Sequence, residues 1–294
     1  MFRNVRWYTF EGPWPESEDK LSEALQKAAF RPCGPLTERS NGWEAVAPEV
    51  SESLARRVAG ADLLRLRSQS RVLPHAAVNE ELEMRVAEYR KKAGEEPSSR
   101  QKRRFKNDAR DELLPKALLK SDRINGFVDP KEHLIGIDSG QEANAERFLR
   151  RLTAAVDGLS IKPLQFANPL EQFLGKVLFG DCPSQFVAGR ECRLQDLTDP
   201  KAIVRCMNVD LSDPTFRRNI ADGMRLTHLA IEYDNVASLV LDMDGNITKL
   251  KFIGDEDEAE LESATERLDA DFVLLTGVLR NLLKDLSKQH GKTA

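Results

Sequence analysis

The chain has 294 residues, 40% of them hydrophobic and 31% charged, a balance that reads as a soluble, globular protein of about two domains. Its 44 Lys and Arg against 48 Asp and Glu leave a net charge of −4, which excludes a uniformly basic coat. A positive surface gathered in one place is not excluded, because binding follows local potential rather than the sum.

In chain order, FRNVRWYTF is rich in aromatic and β-branched residues and predicts a strand. It carries charge and aromatics where a signal peptide needs an apolar stretch, so the chain is expected to stay in the cytoplasm. Ser17 opens a helix with Leu21, Ala24, Leu25 and Ala28 at helical spacing, ended by Pro32 to Pro35. NGWEAV reads as a turn and strand, and ADLLRLRSQSRVLP as an alternating strand that stops at Pro74. Strands this close together define an α+β pattern rather than regular βαβ crossovers.

The character changes over residues 77–120. Val78, Leu82, Val86 and Tyr89 predict one helix with Asn79 as its cap, GEEPSS breaks it, and Phe105, Ala109 and Leu113 stripe a second. Two helices with one narrow apolar stripe each predict a protruding antiparallel helical hairpin. Strands return at INGFVD and HLIGIDS, followed by a helix over EANAERFLRRLTAAVDG closed by Gly158. A short helix at NPLEQFLGKVLFG opens a second α+β region. Its meander, MRLTHLAIEY, ASLVLDMDG and NITKLKFI, turns at Asp244-Gly245. After the acidic run 255–262, Phe272, Leu275, Leu279, Leu282, Leu283 and Leu286 predict a long amphipathic terminal helix. The organisation is thus an N-terminal α+β region (1–76), a helical finger (77–120), a continuation of the first region (121–165) and a C-terminal α+β region (166–294).

Catalytic signatures are sparse. His75, His133, His228 and His290 stand at no metal-ligand spacing, and Cys33, Cys182, Cys192 and Cys206 form no C-x-x-C pair. Reduced and mostly buried cysteines are the simpler reading, and no cofactor or metal is called for. HGKT (290–293) ends like a P-loop but has Leu286 where the first glycine belongs. DMDGN (242–246) puts Gly245 at the fourth position of a would-be calcium loop, so a turn explains it better. Asp255, Glu256, Asp257 and Glu258 could hold Mg²⁺ in a DNA-processing enzyme, although contiguous carboxylates are more often solvated.

The strongest local feature is SSRQKRRFKNDARDELLPKAL (98–118). Between Arg100 and Arg110 it sets six cations against Asp108 alone. At about 100° per residue, with Phe105 at zero, Ala109 and Leu113 fall within roughly 80°, and Arg100, Arg103, Arg104 and Arg110 at about 140° to 260°. Lys102 and Lys106 lie on the flanks, and Lys116 at the foot. Such a face is either a solvated surface that prevents aggregation or a contact for phosphates without regard to base sequence. A third use is an adaptor whose basic hairpin meets an acidic partner. No aromatic residue interleaves with the arginines, so stacking on single-stranded bases has no support.

Several stretches in order resemble the recombination-associated RdgC family of bacterial DNA-binding proteins: FRPCG, GWEAV, RVLPHAAVNEEL, LLPKAL, DLTDP, LTHLAIEY, ITKLKF and LDADFVLLTG (268–277). They run from about residue 30 to about residue 280, with FRPCG and DADFVLLTG the most specific. The resemblance implies a non-enzymatic, ring-shaped homodimer that encircles double-stranded DNA and obstructs the RecA recombinase in recombination and replication-fork repair. It implies a cytoplasmic, nucleoid-associated protein whose finger is the basic hairpin. Basic residues would line the hole, with Arg205 and Lys249 as strand candidates, while acids such as those of 255–262 face outward. Where the family pattern leads one to expect Phe at a subunit contact, this chain has Leu118, which fills an apolar pocket with less aromatic area.

Overall fold

The computed structural model describes residues 2–211, 213, 218, 223–254 and 263–291. It is α+β, with two sheets whose registered strand pairs run antiparallel and, among the described residues, six α-helices. The chain divides into two compact units: Met1–Leu25, Ala45–Leu64 and Ile124–Ala294 form the first, and Gln26–Glu44 and Arg65–Arg123 the second.

The first unit holds β1 (Arg6–Glu11), α1 (Glu18–Gln26, but for its last residue), β3 (Ala55–Val58) and the start of β4 (Ala61–Val72). The end of β5 (Leu118–Asp129), β6 (Leu134–Ile137), α4 (Glu142–Ala155) and β7 (Ser160–Pro163) follow. Strand β1 lies between β6 and β7, with Trp7 opposite Gly136 and Thr9 opposite Lys162. Ser17 initiates α1 as expected, its Oγ accepting from the Lys20 N–H at 3.2 Å, and Leu21 and Leu25 are fully buried. Helix α4 stops at Ala155, three residues before Gly158, because Val156 turns to extended backbone; Gly158 supplies a positive φ of 81° in the turn beyond.

The same unit continues with α5 (Leu170–Phe179), β8 (Phe186–Asp196), β9 (Ile203–Met207), β10 (Met224–Tyr233), β11 (Ala237–Asp242), β12 (Ile247–Phe252) and α6 (Ala264–His290). The expected meander is β10 to β12, and the sheet order β12-β11-β10-β8-β9 leaves β9 at an edge. Strand β8 lies where no strand was expected, while β9 carries Arg205, one of the two expected strand residues. All six apolar residues expected to stripe the terminal helix are buried, in one core with Phe186, Leu229, Ile231, Leu239 and Leu241. Ion pairs fix α6 on its other flanks, Arg56 to Asp269 at 2.5 Å and Arg280 to Asp129 at 2.6 Å. The four thiols are free and three are buried; burial first, and the facing Cys206 second, push Cys192 up to about 12.

The second unit holds β2 (Arg39–Glu44) paired with the later half of β4, then α2 (His75–Ala93), α3 (Ser99–Leu113), a 3-10 turn (Leu114–Lys116) and the first half of β5. Gly42 is required there: a Cβ would lie 2.6 Å from the Ala29 carbonyl carbon, where residues 28–30 hydrogen-bond Trp43. Helix α2 begins four residues before Asn79, with Pro74 in extended backbone at its N-cap. Beyond α3 the chain is already in strand at Leu118 rather than at Ile124. The acidic run 255–262 and the last residues of HGKT, 292 and 293, lie outside the described residues.

Candidate nucleic-acid interface

Helix α3 starts where it does because Ser98 and Gln101 cap each other. Gln101 N–H donates to the Ser98 hydroxyl at 3.3 Å, and Ser98 N–H donates to Gln101 Oε1 at 2.7 Å. Gly94, at a φ of 73°, ends α2 and lets the chain reverse. The helices then join along one stripe. Gln101 Nε2 donates to the Tyr89 hydroxyl at 2.9 Å, and the Tyr89 and Phe105 rings stand 5.8 Å apart. Ala109 is fully buried, while Phe105 and Leu113 are half-buried. Arg85 of α2 reaches Glu112 of α3 at 2.6 Å and Glu81 at 2.8 Å.

With that stripe fixed, Arg100, Lys102, Arg103, Arg104, Lys106 and Arg110 are all exposed. They are not equally available. Lys102 lies 3.5 Å from Glu96, a carboxylate also held by Arg90. Arg104 lies 3.9 Å from Asp108, Arg110 reaches Glu38 at 2.5 Å, and Lys116 lies 3.6 Å from Glu112. Among the described residues no carboxylate pairs with Arg100, Arg103 or Lys106. Exposed pairs of this kind are worth only about 0–1 kcal/mol, so the engaged cations can exchange a carboxylate for a phosphate.

At the foot of α3 the structure places a residue that sequence reasoning missed. Arg71 of β4 donates from Nη1 to the Leu114, Pro115 and Ala117 carbonyls at 3.1–3.2 Å. Its Nε and Nη2 donate to the Gly34 carbonyl at 3.2 and 3.1 Å. One guanidinium therefore ties the FRPCG loop to the turn after α3. At the far end of the β2–β4 ladder, Glu44 accepts from Arg67 at 2.8 Å and Arg123 at 2.7 Å. Burial works against the Glu44 carboxylate, but the two guanidinium hydrogen bonds prevail and hold it below the usual range. Leu118, at the start of β5, is 80% exposed, with Leu119 half-exposed next to it.

The two strand candidates lie in the first unit. Lys249, on β12, gives its ammonium to both oxygens of Glu191 at 2.6 and 2.7 Å. Arg205, on β9, is exposed with no carboxylate paired to it among the described residues. The DMDGN segment is a turn: Asp242 accepts from the Asp244 and Asn246 amides at 2.9 and 2.8 Å, and Gly245 has a φ of 86°. Among the described residues no three His, Cys, Asp or Glu side chains group as a metal site, and no helix is long and apolar enough to cross a membrane.

Fold and surface together define an α+β protein of two antiparallel sheets that carries a capped helix pair with an exposed cationic face. The chain belongs to the RdgC family, whose model, described as "Putative exonuclease, RdgC", matches residues 1–293. It is 31% identical over 295 residues to the recombination-associated protein RdgC of Cupriavidus necator, covering 99% of this chain and 98% of that protein. The like-named protein of Cupriavidus pinatubonensis is 30% identical over the same shares. That of Pseudoalteromonas atlantica is 28% identical over 97% of this chain and 96% of its own length.

Proposed function

We propose that this recombination-associated protein binds double-stranded DNA without sequence preference, as a ring-shaped homodimer around the duplex that limits RecA access in recombination and fork repair. It works without a cofactor and without catalysis, in the cytoplasm at the nucleoid. The observation that carries the reading is the face of α3, where among the described residues Arg100, Arg103 and Lys106 have no carboxylate partner; Arg100 and Arg103 stand opposite the packed Phe105–Ala109 stripe and Lys106 on its flank. Guanidinium forks on a rigid helix suit phosphate oxygens, and nothing on this face is shaped to read base edges. The exposed Leu118 fits an apolar contact between copies at the foot of the same helix.

Binding should weaken with salt as counterions are released. With about six phosphates held, log K is expected to fall against log salt with a slope near −5. Alanine at Arg100, Arg103, Arg104 and Arg110 together should flatten that slope and weaken every duplex sequence alike. An unchanged slope returns the run to a solvated face, and no binding at low salt favours an adaptor for an acidic protein. Closed circular DNA should load more slowly than linear DNA if a ring must open or find an end. The family description raises a second reading, an exonuclease, for which the run 255–258 is the carboxylate candidate. Incubation of labelled duplex with protein and Mg²⁺ separates the two, since degradation abolished by substituting those carboxylates would sink the non-catalytic reading.

A further inference from the structure

The open face of the second sheet carries a row of charge that the α3 reading does not use. Strand registers place Arg205 opposite Arg193, Arg193 opposite His228, and His228 opposite Asp242, on the neighbouring strands β9, β8, β10 and β11. Their neighbours along the strands, Cys206, Cys192, Leu229 and Leu241, face the core, so alternation puts all four row residues on the other side.

Two arginines directly opposite one another are an unfavourable cross-strand pair. Among the described residues neither has a carboxylate partner, and Arg193 Nε is buried with no hydrogen bond. Of the nearby carboxylates, Glu191 is engaged with Lys249, Glu171 with Arg225 and Asp242 with the amides of its turn, while Asp244 acts on His228 from the same turn. His228 is half-buried and, among the described residues, its ring bonds the Thr227 hydroxyl at 3.1 Å. Burial chiefly holds its imidazole below the ordinary 6.5; Arg193 and Arg205 add to that, against Asp242 and Asp244.

We infer that Arg193 and Arg205, with His228 as the third wall, form an oxyanion site for a phosphate group. A phosphate between the two guanidiniums converts their repulsion into a pair of charge-assisted forks and supplies the acceptor that Arg193 Nε lacks. The edge position of β9 leaves the site open to a polymer backbone as well as to a free ion. The inference rests on the duplex-binding reading, since it names a second place where the same phosphodiester backbone is held.

The test uses the whole chain and compares wild type, the double variant Arg193→Gln/Arg205→Gln, and the charge-keeping double Arg193→Lys/Arg205→Lys. Thermal melting verifies that each is folded. Duplex affinity is measured across salt, and inorganic phosphate is titrated while the His228 imidazole proton is followed by NMR, assigned by its loss in His228→Gln. If wild type binds duplex, the Gln double should bind several-fold more weakly with a salt slope smaller by about 1, and the Lys double should keep the wild-type slope. Wild-type affinity and slope in the Gln double overturn the site and leave the duplex reading standing. If wild type binds no duplex, that reading falls and the phosphate titration decides. A His228 shift present in wild type and absent from the Gln double supports a site for free phosphate; no shift overturns it.

Discussion

Arg71 shows how much one side chain can hold without an ion pair. Its guanidinium spends its hydrogen bonds on the carbonyls of Gly34, Leu114, Pro115 and Ala117, of which Gly34 and Leu114 also accept from the Thr37 and Ala117 amides. Arg71→Met keeps the aliphatic stem and removes the donor that these four carbonyls share, so it should cost about 2 kcal/mol. The measurements are the urea midpoint at unchanged m-value and faster amide exchange at Ala117, whose N–H bonds Leu114 O at 3.1 Å. Glu44 makes a pH prediction. Its folded value is depressed, so the stability it supplies is present above its ordinary 4.5 and is lost as pH falls through the folded value. Glu44→Gln should remove that part of the acid limb of a melting-temperature profile, and a limb identical to wild type would show that Arg67 and Arg123 do not stabilise the carboxylate. Neither residue could be picked from sequence: an arginine in an alternating strand looks the same whether it meets water or four carbonyls.

Among the elements, α3 was legible and β8 was not, for physical reasons. A helix repeats every 3.6 residues, so the spacing of Phe105, Ala109 and Leu113 alone sorted the arginines onto the opposite face, as their exposure bears out. Strand β8 spells FVAGRECRLQD, and its pairing with β10 shifts register between Leu226 and His228 and again between Leu229 and Ile231. The first puts its extra residue, Thr227, in β10; the second sets Ala188 to Cys192 against Leu229 to Ile231, and these extra β8 residues reset the two-residue period on which strand recognition depends. The start of α2 was misplaced because a good capping residue, Asn79, lies inside the helix while Pro74 begins it. The capping box at α3 carries its own prediction. Ser98→Ala should cost about 1 kcal/mol and fray the first turn, where Arg100 sits, with hydrogen exchange at the Gln101 amide as the readout.

For the whole molecule, the net charge of −4 says little about where a polyanion can bind, because cations without a carboxylate partner among the described residues stand together on α3 and on the β8–β9 face. Stability belongs elsewhere. Leu283→Ala, in the buried stripe of α6, should cost about 2–5 kcal/mol, and an exposed charge change on α3 far less. Self-association is tested at Leu118. Being largely exposed in one copy, Leu118→Asp should leave the melting temperature of an isolated chain nearly unchanged and shift the sedimentation coefficient toward monomer. A wild-type coefficient in the variant would remove Leu118 from any subunit contact.

The helix pair leaves the sheet from β4 and re-enters it at β5, strands that are neighbours in the sheet. Topologically it is a β-hairpin connection that has grown from a tight turn into two helices, stitched shut at its base by Arg71. A chain with residues 73–117 replaced by a two-residue Asn-Gly turn should therefore still fold cooperatively in a thermal melt, so the length and charge of this appendage can be altered without redesigning the core.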